Sequence, residues 1–404
     1  MKPIYIVILL LSVPCCFAAD FGLVLNTVPE YGYAGQGADS GGDFSFTGTA
    51  SPWVSGVLRE DLSYYLSGRL LFEYEDGEAK TPLLVELERT EFDWRPFSAV
   101  FVSAGRQHFA DSAALIASGF FDGLLGSLSL QKARLSAGVF YTGFLYKESA
   151  EIIMSAVDMA NYSKPLDYGD GDSYRASRRL LAELTGEFPD LTSRTSLTVN
   201  ALGQFDLTSQ DALHSQYLLG HYFFTPIEVL RLNLAASVGF TETDGVDLRT
   251  SLAFQAGAEW NPPGSLEDMA DLRFRWASGA ISDTIGVFLP LNGIIQGEIF
   301  MPRISSLLSV KAAYTARLHE QVSVSAGTTY FIRTDTETFN DADLDPQSSS
   351  LLLGGELYGS VIWAIDSILR FTAGGGAFFP QWGGAFAADT PLRWKVNAGV
   401  TVSL

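Results

Sequence analysis

Both cysteines of this 404-residue chain, Cys15 and Cys16, fall within its first 18 residues. Everything after them is cysteine-free. That excludes disulfides, thiolate metal sites and a cysteine nucleophile. Long apolar runs are missing as well. Past residue 18 no stretch of about 18 apolar residues occurs, the length a membrane-spanning helix needs. Basic residues are few: 26 Lys and Arg stand against 46 Asp and Glu, a net charge of −20. A nucleic-acid partner does not fit that balance. The four histidines, His108, His214, His221 and His319, are scattered and show no metal-ligand spacing. No cofactor is expected.

The first 18 residues read as a cleaved signal peptide. Lys2 supplies the positive start and Ile4–Val13 a short apolar run, with cleavage after Ala18. A lipid-bearing Cys15 or Cys16 is the alternative, although Val13 and Pro14 sit badly before one. Residues 19–404 then form one domain.

That domain has a period of two. Near the end, Trp394, Val396, Ala398, Val400, Val402 and Leu404 alternate with Lys395, Asn397, Gly399, Thr401 and Ser403. Leu232, Leu234, Ala236, Val238 and Phe240 alternate with polar or small neighbours in the same way. Strand side chains point to opposite faces in turn, so each segment has one apolar and one polar face. About 18 such segments follow one another, with 16 as the alternative. Each is long enough to cross a bilayer at a tilt. Aromatics such as Tyr64, Phe72, Trp260, Trp363 and Trp394 stand near segment ends, as in interfacial girdles.

The connections alternate too. Short turns such as Arg59-Glu60 and His319-Glu320 are interleaved with long stretches at 147–177, 279–305, 334–348 and 379–389. The expected fold is therefore all-β: a transmembrane antiparallel β-barrel in the outer membrane, its long loops on one side and both termini on the other. A soluble sandwich uses shorter strands, and a solenoid needs a fixed repeat.

If the apolar face meets lipid, the alternate face lines the lumen. Arg231, Arg249, Arg273, Arg275, Lys311, Arg333 and Arg370 all fall on that alternate face, as do Arg69, Arg134, Arg179, Arg317, Arg393 and Lys395. Glu73, Glu75, Glu86, Glu88, Glu183, Glu187, Glu259 and Glu356 share it. The second half of the inner wall is basic and the first half mixed. Keeping charge out of lipid explains the phase by itself. A basic wall would in addition attract anions.

Gly105-Arg106-Gln107 ends one strand, and Phe121-Asp122-Gly123 opens the next. A GRQ…FDG pair across an inserted loop resembles the alginate-export family of outer-membrane porins, and more loosely other substrate-selective porins. The resemblance implies an 18-stranded barrel passing a polyanionic polysaccharide through an arginine-lined pore. It also implies that loop 107–121 folds inward, that Arg106 points into the lumen at the constriction, and that Asp122 lies across the loop neck. The equally simple reading of Arg106 and Asp122 is an ion pair pinning the loop. The alanines and Ser118 of the loop suit a short helical turn.

The function expected from these features is passive diffusion of polar, anionic solutes, with membrane lipid as surroundings and association of copies left open. An adhesin or antigen presenting acidic external loops is the alternative. A lipid transporter would need an apolar lumen pocket and a plug. The Asp341-Ala-Asp343-Leu-Asp345 run lacks the Gly and Glu of a calcium loop. A Ser–His–acid site would have to use His214 or His221, and no spacing favours it. The chain is read as a non-enzyme.

Overall fold

The computed structural model describes residues 19–35, 42–75, 78–208, 211–243, 246–264, 266–282 and 285–404. The expected signal peptide lies outside them. Eighteen strands follow the chain: β1 (Ala19–Tyr33), β2 (Asp43–Arg59), β3 (Leu62–Glu75), β4 (Glu78–Phe97), β5 (Val100–Ala110), β6 (Ser118–Ser129). Next come β7 (Arg134–Tyr141), β8 (Arg179–Thr192), β9 (Thr195–Asp206), β10 (Leu213–Ile227), β11 (Leu230–Thr243) and β12 (Val246–Trp260). The last six are β13 (Met269–Ala277), β14 (Leu307–His319), β15 (Val322–Arg333), β16 (Leu352–Ala364), β17 (Leu369–Phe379) and β18 (Arg393–Ser403). Each pairs antiparallel with its sequence neighbours, and β1 pairs with β18 to close the barrel. The strand number is eighteen, not the alternative sixteen.

The period of two becomes the two faces of this wall. Leu70, Phe72, Leu124, Val139, Leu184, Leu218, Leu234, Leu272, Leu357 and Val396 are exposed on its outer face. Apolar side chains exposed all round a closed barrel make the surface of a protein that lies in a bilayer. Closure also leaves no free sheet edge for lipid to meet.

The long connections, 111–117, 142–178, 278–306, 334–351 and 380–392, all lie on one rim. The other rim carries only connections of two to eight residues, and there backbone bonds between Leu23 and Leu404 tie the two ends of the described chain together.

One part of the wall departs from regularity. Pairing of β4 with β5 runs up to Thr90↔Arg106 and stops. Pairing of β6 with β7 stops at Asp122↔Tyr141. Beyond those points, residues 107–110 and 118–121 pair only with each other. The top of the β5–β6 hairpin therefore leaves the wall and turns into the lumen. Its tip is seven residues of turn, and the short helix expected there does not form. Strand pairing wins because alternation sends both Phe109 and Phe121 to one buried face.

Gly105 makes the departure possible. Its φ is +115°, and a Cβ there would run into the Thr90 carbonyl oxygen. Gly123 faces it across the hairpin. Gly105→Ala is expected to destabilise the barrel by about 1–3 kcal/mol, the usual range for backbone strain. Urea unfolding in lipid or detergent would measure it, and an unchanged midpoint would count against this bend.

Candidate functional site: the occluded lumen

The hairpin tip crosses to the far wall and is held there by polar contacts. Ser112 donates from Oγ to Asn200 Oδ1 on β9 at 2.6 Å, and its carbonyl lies 2.6 Å from His221 Nδ1 on β10. Arg275 on β13 donates to the Ala113 carbonyl at 3.2 Å. Asn292, in loop 278–306, brackets Ser118 through both its amide atoms. Inside the tip, the Asp111 carboxylate accepts the N–H groups of Ala113, Leu115, Ile116 and Ala117. One side chain thus satisfies donors that a turn inside a barrel would otherwise leave buried and unpaired.

Around these bonds lies an apolar core within the barrel. Phe109, Leu115, Ile116 and Phe121 of the hairpin pack with Phe140, Leu181, Leu202 and Leu219 of the inner wall, and with Phe288 and Leu291 of loop 278–306. A second core joins Ile299 and Phe300 to Phe331, Phe378 and Phe386. Hairpin and loop together occlude the outer part of the lumen along the β7–β16 side.

Loop 142–178 covers the breach the hairpin leaves beside β4. It carries three short helices, α1 (Lys147–Ala150), α2 (Ala156–Tyr162) and α3 (Gly171–Tyr174). Tyr168 Oη donates to the Leu83 carbonyl of β4, and Ser149 bonds both Arg69 and Glu86. Arg179 anchors the loop. It is fully buried and reaches Asp158 at 2.5 Å and Asp206 at 3.1 Å. Burial also pushes the Lys147 ammonium below its ordinary value, and its N–H groups go to the carbonyls of Asn161 and Lys164. Burial pushes Glu151 up, against the opposing pull of Arg303.

Arg106 sits at the foot of the breach, only 4 % exposed. Its guanidinium forms a two-pronged bond with Asp122, both contacts at 2.9 Å. It also donates to the Leu87 carbonyl on β4 and, at 3.0 Å, to the Phe144 carbonyl. The register places Arg106 and Asp122 in phase with Ala104 and Leu124 rather than with lumen-facing Ser103 and Leu125. Where the hairpin departs, β4 loses a backbone partner, and a planar five-donor cation replaces it.

The other candidate cations fall on the inner phase of β11–β17 and divide by partner. Arg273 lies 3.5 Å from Asp271 and Lys311 lies 3.1 Å from Glu298. Arg231, Arg249, Arg275, Arg333 and Arg370 have no ion-pair partner among the described residues. Arg231 rests on the Phe223 ring at 4.3 Å. Arg275 donates to Gln255 as well as to the tip. Arg333 is buried and donates to the carbonyls of Ser348 and Ser350. Arg231, Arg249 and Arg370 are exposed. Arg273 and Lys311 stand directly opposite in register, an unfavourable like-charge pair.

The acids of the inner face have different occupations. Glu86 is buried on Arg69 at 2.5 Å. Glu187 faces Arg134 in register. Glu356 is fully buried and accepts the N–H groups of Glu298, Ile299 and Phe300, holding loop 278–306 to the wall. Asp341 and Asp343, from the acidic run in loop 334–351, both bind Arg393. Apart from the acidic run that holds Asp341 and Asp343 and the Ser155–Asp158 capping box, these anchors, with Asp111 and Asn292, carry no sequence signal.

No protein-family model matches this chain, and no curated protein matches it. Solved structures do. A BenF-like porin from Pseudomonas fluorescens Pf-5 superposes with a TM-score of 0.64 at 9% identity, over 96% of this chain and 98% of that one. OccK2 (OpdF) of Pseudomonas aeruginosa in complex with glucuronate gives 0.62 at 12% identity, over 96% and 98%. The outer membrane protein opdK of the same species gives 0.60 at 12% identity, over 96% and 98%. At such identities the likeness is one of fold: the chain has the architecture of substrate-specific outer-membrane porins.

Proposed function

We propose that this protein is an outer-membrane pore through which small polar, anionic solutes diffuse, and that it is not an enzyme. One observation carries the reading. Glu356 and Glu86 are taken up in holding loops 278–306 and 142–178 to the wall, while five of the inner-face arginines make no salt bridge among the described residues, Arg231 facing Glu259 only across the ladder. Charge that is not cancelled locally acts on a solute, and a low-dielectric wall focuses its field. The net charge of −20 does not contradict this, because the potential that matters is that of the lumen wall.

In this reading the exposed Arg231, Arg249 and Arg370 supply the positive wall, Arg275 and Arg333 add charge from behind it, and Arg273 and Lys311 are partly screened. Arg106 and Asp122 hold the hairpin at its root and do not touch solute. The hairpin over 107–121 narrows the passage. The outer belt meets lipid, and each chain closes its own barrel whether or not copies associate. OccK2 was solved with glucuronate, a small sugar acid, and solutes of that class suit this wall. The narrower kinship with alginate exporters rests on the GRQ…FDG pair alone. The adhesin alternative is disfavoured, since Arg179, Glu356 and Arg393 tie the long loops down onto the barrel.

Reversal potentials across a planar bilayer under a potassium chloride gradient test the reading. Chloride preference is expected. Replacing Arg231, Arg249 and Arg275 together by glutamine is expected to abolish most of it. A cation-selective wild type, or a barrel that inserts and never conducts, overturns the proposal.

A further inference from the structure

The side of the lumen that the hairpin leaves uncovered carries an unassigned flat surface. Trp53 on β2 and Tyr65 on β3 lie in the inner phase, opposite Gly22 and Glu91 respectively. Their rings are nearly parallel, 11° apart with centroids at 6.1 Å. Gly22 allows this, because a Cβ there would come within 2.7 Å of the indole ring. Without it, the indole lies flat along the wall. The Arg89 guanidinium sits over Tyr65 at 4.6 Å and is paired with Glu91 at 2.5 Å. The surface is therefore a row of two aromatic rings with a donor and an acceptor at one edge.

Two polar atoms at that edge are unsatisfied. Arg89 Nε and Asp93 Oδ1 are both shielded and make no hydrogen bond. An orphaned donor and an orphaned acceptor beside an aromatic surface are costly for a structural role alone. Both atoms are closed off, so a ring stacked on the indole would meet the partly exposed Arg89 guanidinium and its Glu91 partner instead.

We infer that Trp53, Tyr65, Arg89 and Glu91 form a stacking subsite for the ring of a pyranose sugar or sugar acid. Its C–H face lies on the indole, and its hydroxyls meet the Arg89–Glu91 edge. The subsite stands apart from the unpaired arginines of β11–β13 and lies toward the short-turn rim. It deepens the pore reading by giving the solute a ring with hydroxyls as well as a negative charge.

The test is current blockade of single channels by sodium glucuronate, sodium cyclohexanecarboxylate and sodium acetate, added on the short-turn side. Isothermal titration of the detergent-solubilised barrel with glucuronate runs beside it. Glucuronate is expected to block at the lowest concentration. Trp53→Ala is expected to raise its half-blocking concentration about tenfold, the worth of one aromatic stacking contact. Trp53→Phe should restore most of the effect, and open-channel conductance should stay unchanged in both variants. Glucuronate blockade that ignores Trp53→Ala overturns the subsite. So does acetate blocking as well as glucuronate, or cyclohexanecarboxylate blocking better. A wild type that binds glucuronate in detergent, loses it in Trp53→Ala, and does not conduct would leave the subsite standing and remove the pore.

Discussion

Single-channel conductance is expected to rise several-fold when the hairpin tip, residues 112–117, is replaced by a two-residue Asn-Gly turn. The tip is the segment that crosses the lumen, from the β5–β6 hairpin to Asn200, His221 and Arg275 on the opposite wall. Leu115, Ile116 and Ala117 are wholly buried, so they fill space that solute would otherwise occupy. The shortening should also lower stability. Phe140, Leu181, Leu202 and Leu219 are apolar residues on the lumen face, covered by the hairpin and its neighbours. Uncovering even part of them costs about 25 cal/mol per Å². The variant should therefore conduct more and melt earlier. Conductance indistinguishable from wild type would mean that the passage is limited elsewhere.

The same hairpin marks where sequence reading succeeds and where it stops. The wall was legible because lipid and water impose opposite demands on alternate residues, and that demand repeats along every strand. The inward hairpin was legible only through the resemblance carried by the GRQ…FDG pair. Its internal form was not. Whether 107–110 and 118–121 pair as strands depends on what Phe109 and Phe121 meet on the far wall, and no local pattern carries that. The same limit applied to the charges. The alternate phase says only which face an arginine or acid shares, and Glu356 finds its donors at Glu298, Ile299 and Phe300. Only the folded loop reveals that this acid is engaged and that Arg231 or Arg370 is not paired. Arg106 shows the point most sharply. An arginine at the end of a strand beside an inward loop reads as a pore residue, yet its guanidinium makes four hydrogen bonds to carbonyls and a carboxylate that the loop's departure left behind.

Arg179→Leu is expected to release loop 142–178 and to cost about 3–5 kcal/mol, the range for removing one partner of a buried ion pair. Arg179 and Asp158 are wholly buried and Asp206 nearly so. Without the guanidinium, two carboxylates are left facing each other away from water. Asp158 has a second duty, since its side chain accepts the N–H groups of Met154 and Ser155 and closes the capping box at the start of α2. Protonating Asp158 to relieve the repulsion would weaken that cap. The loop should therefore loosen as a unit. Lys164 and Arg175, both within it, should become open to trypsin in intact outer membranes. Loss of cover over the breach beside β4 should also make the current noisier. Combining Arg179→Gln with Asp158→Asn and Asp206→Asn removes the buried charges together, and it should recover most of the lost stability. If the triple variant is no better than Arg179→Leu, the charges are not the source of the cost. In that case the hydrogen bond that Arg179 donates to the Leu213 carbonyl, with the packing of its stem, is what holds the loop.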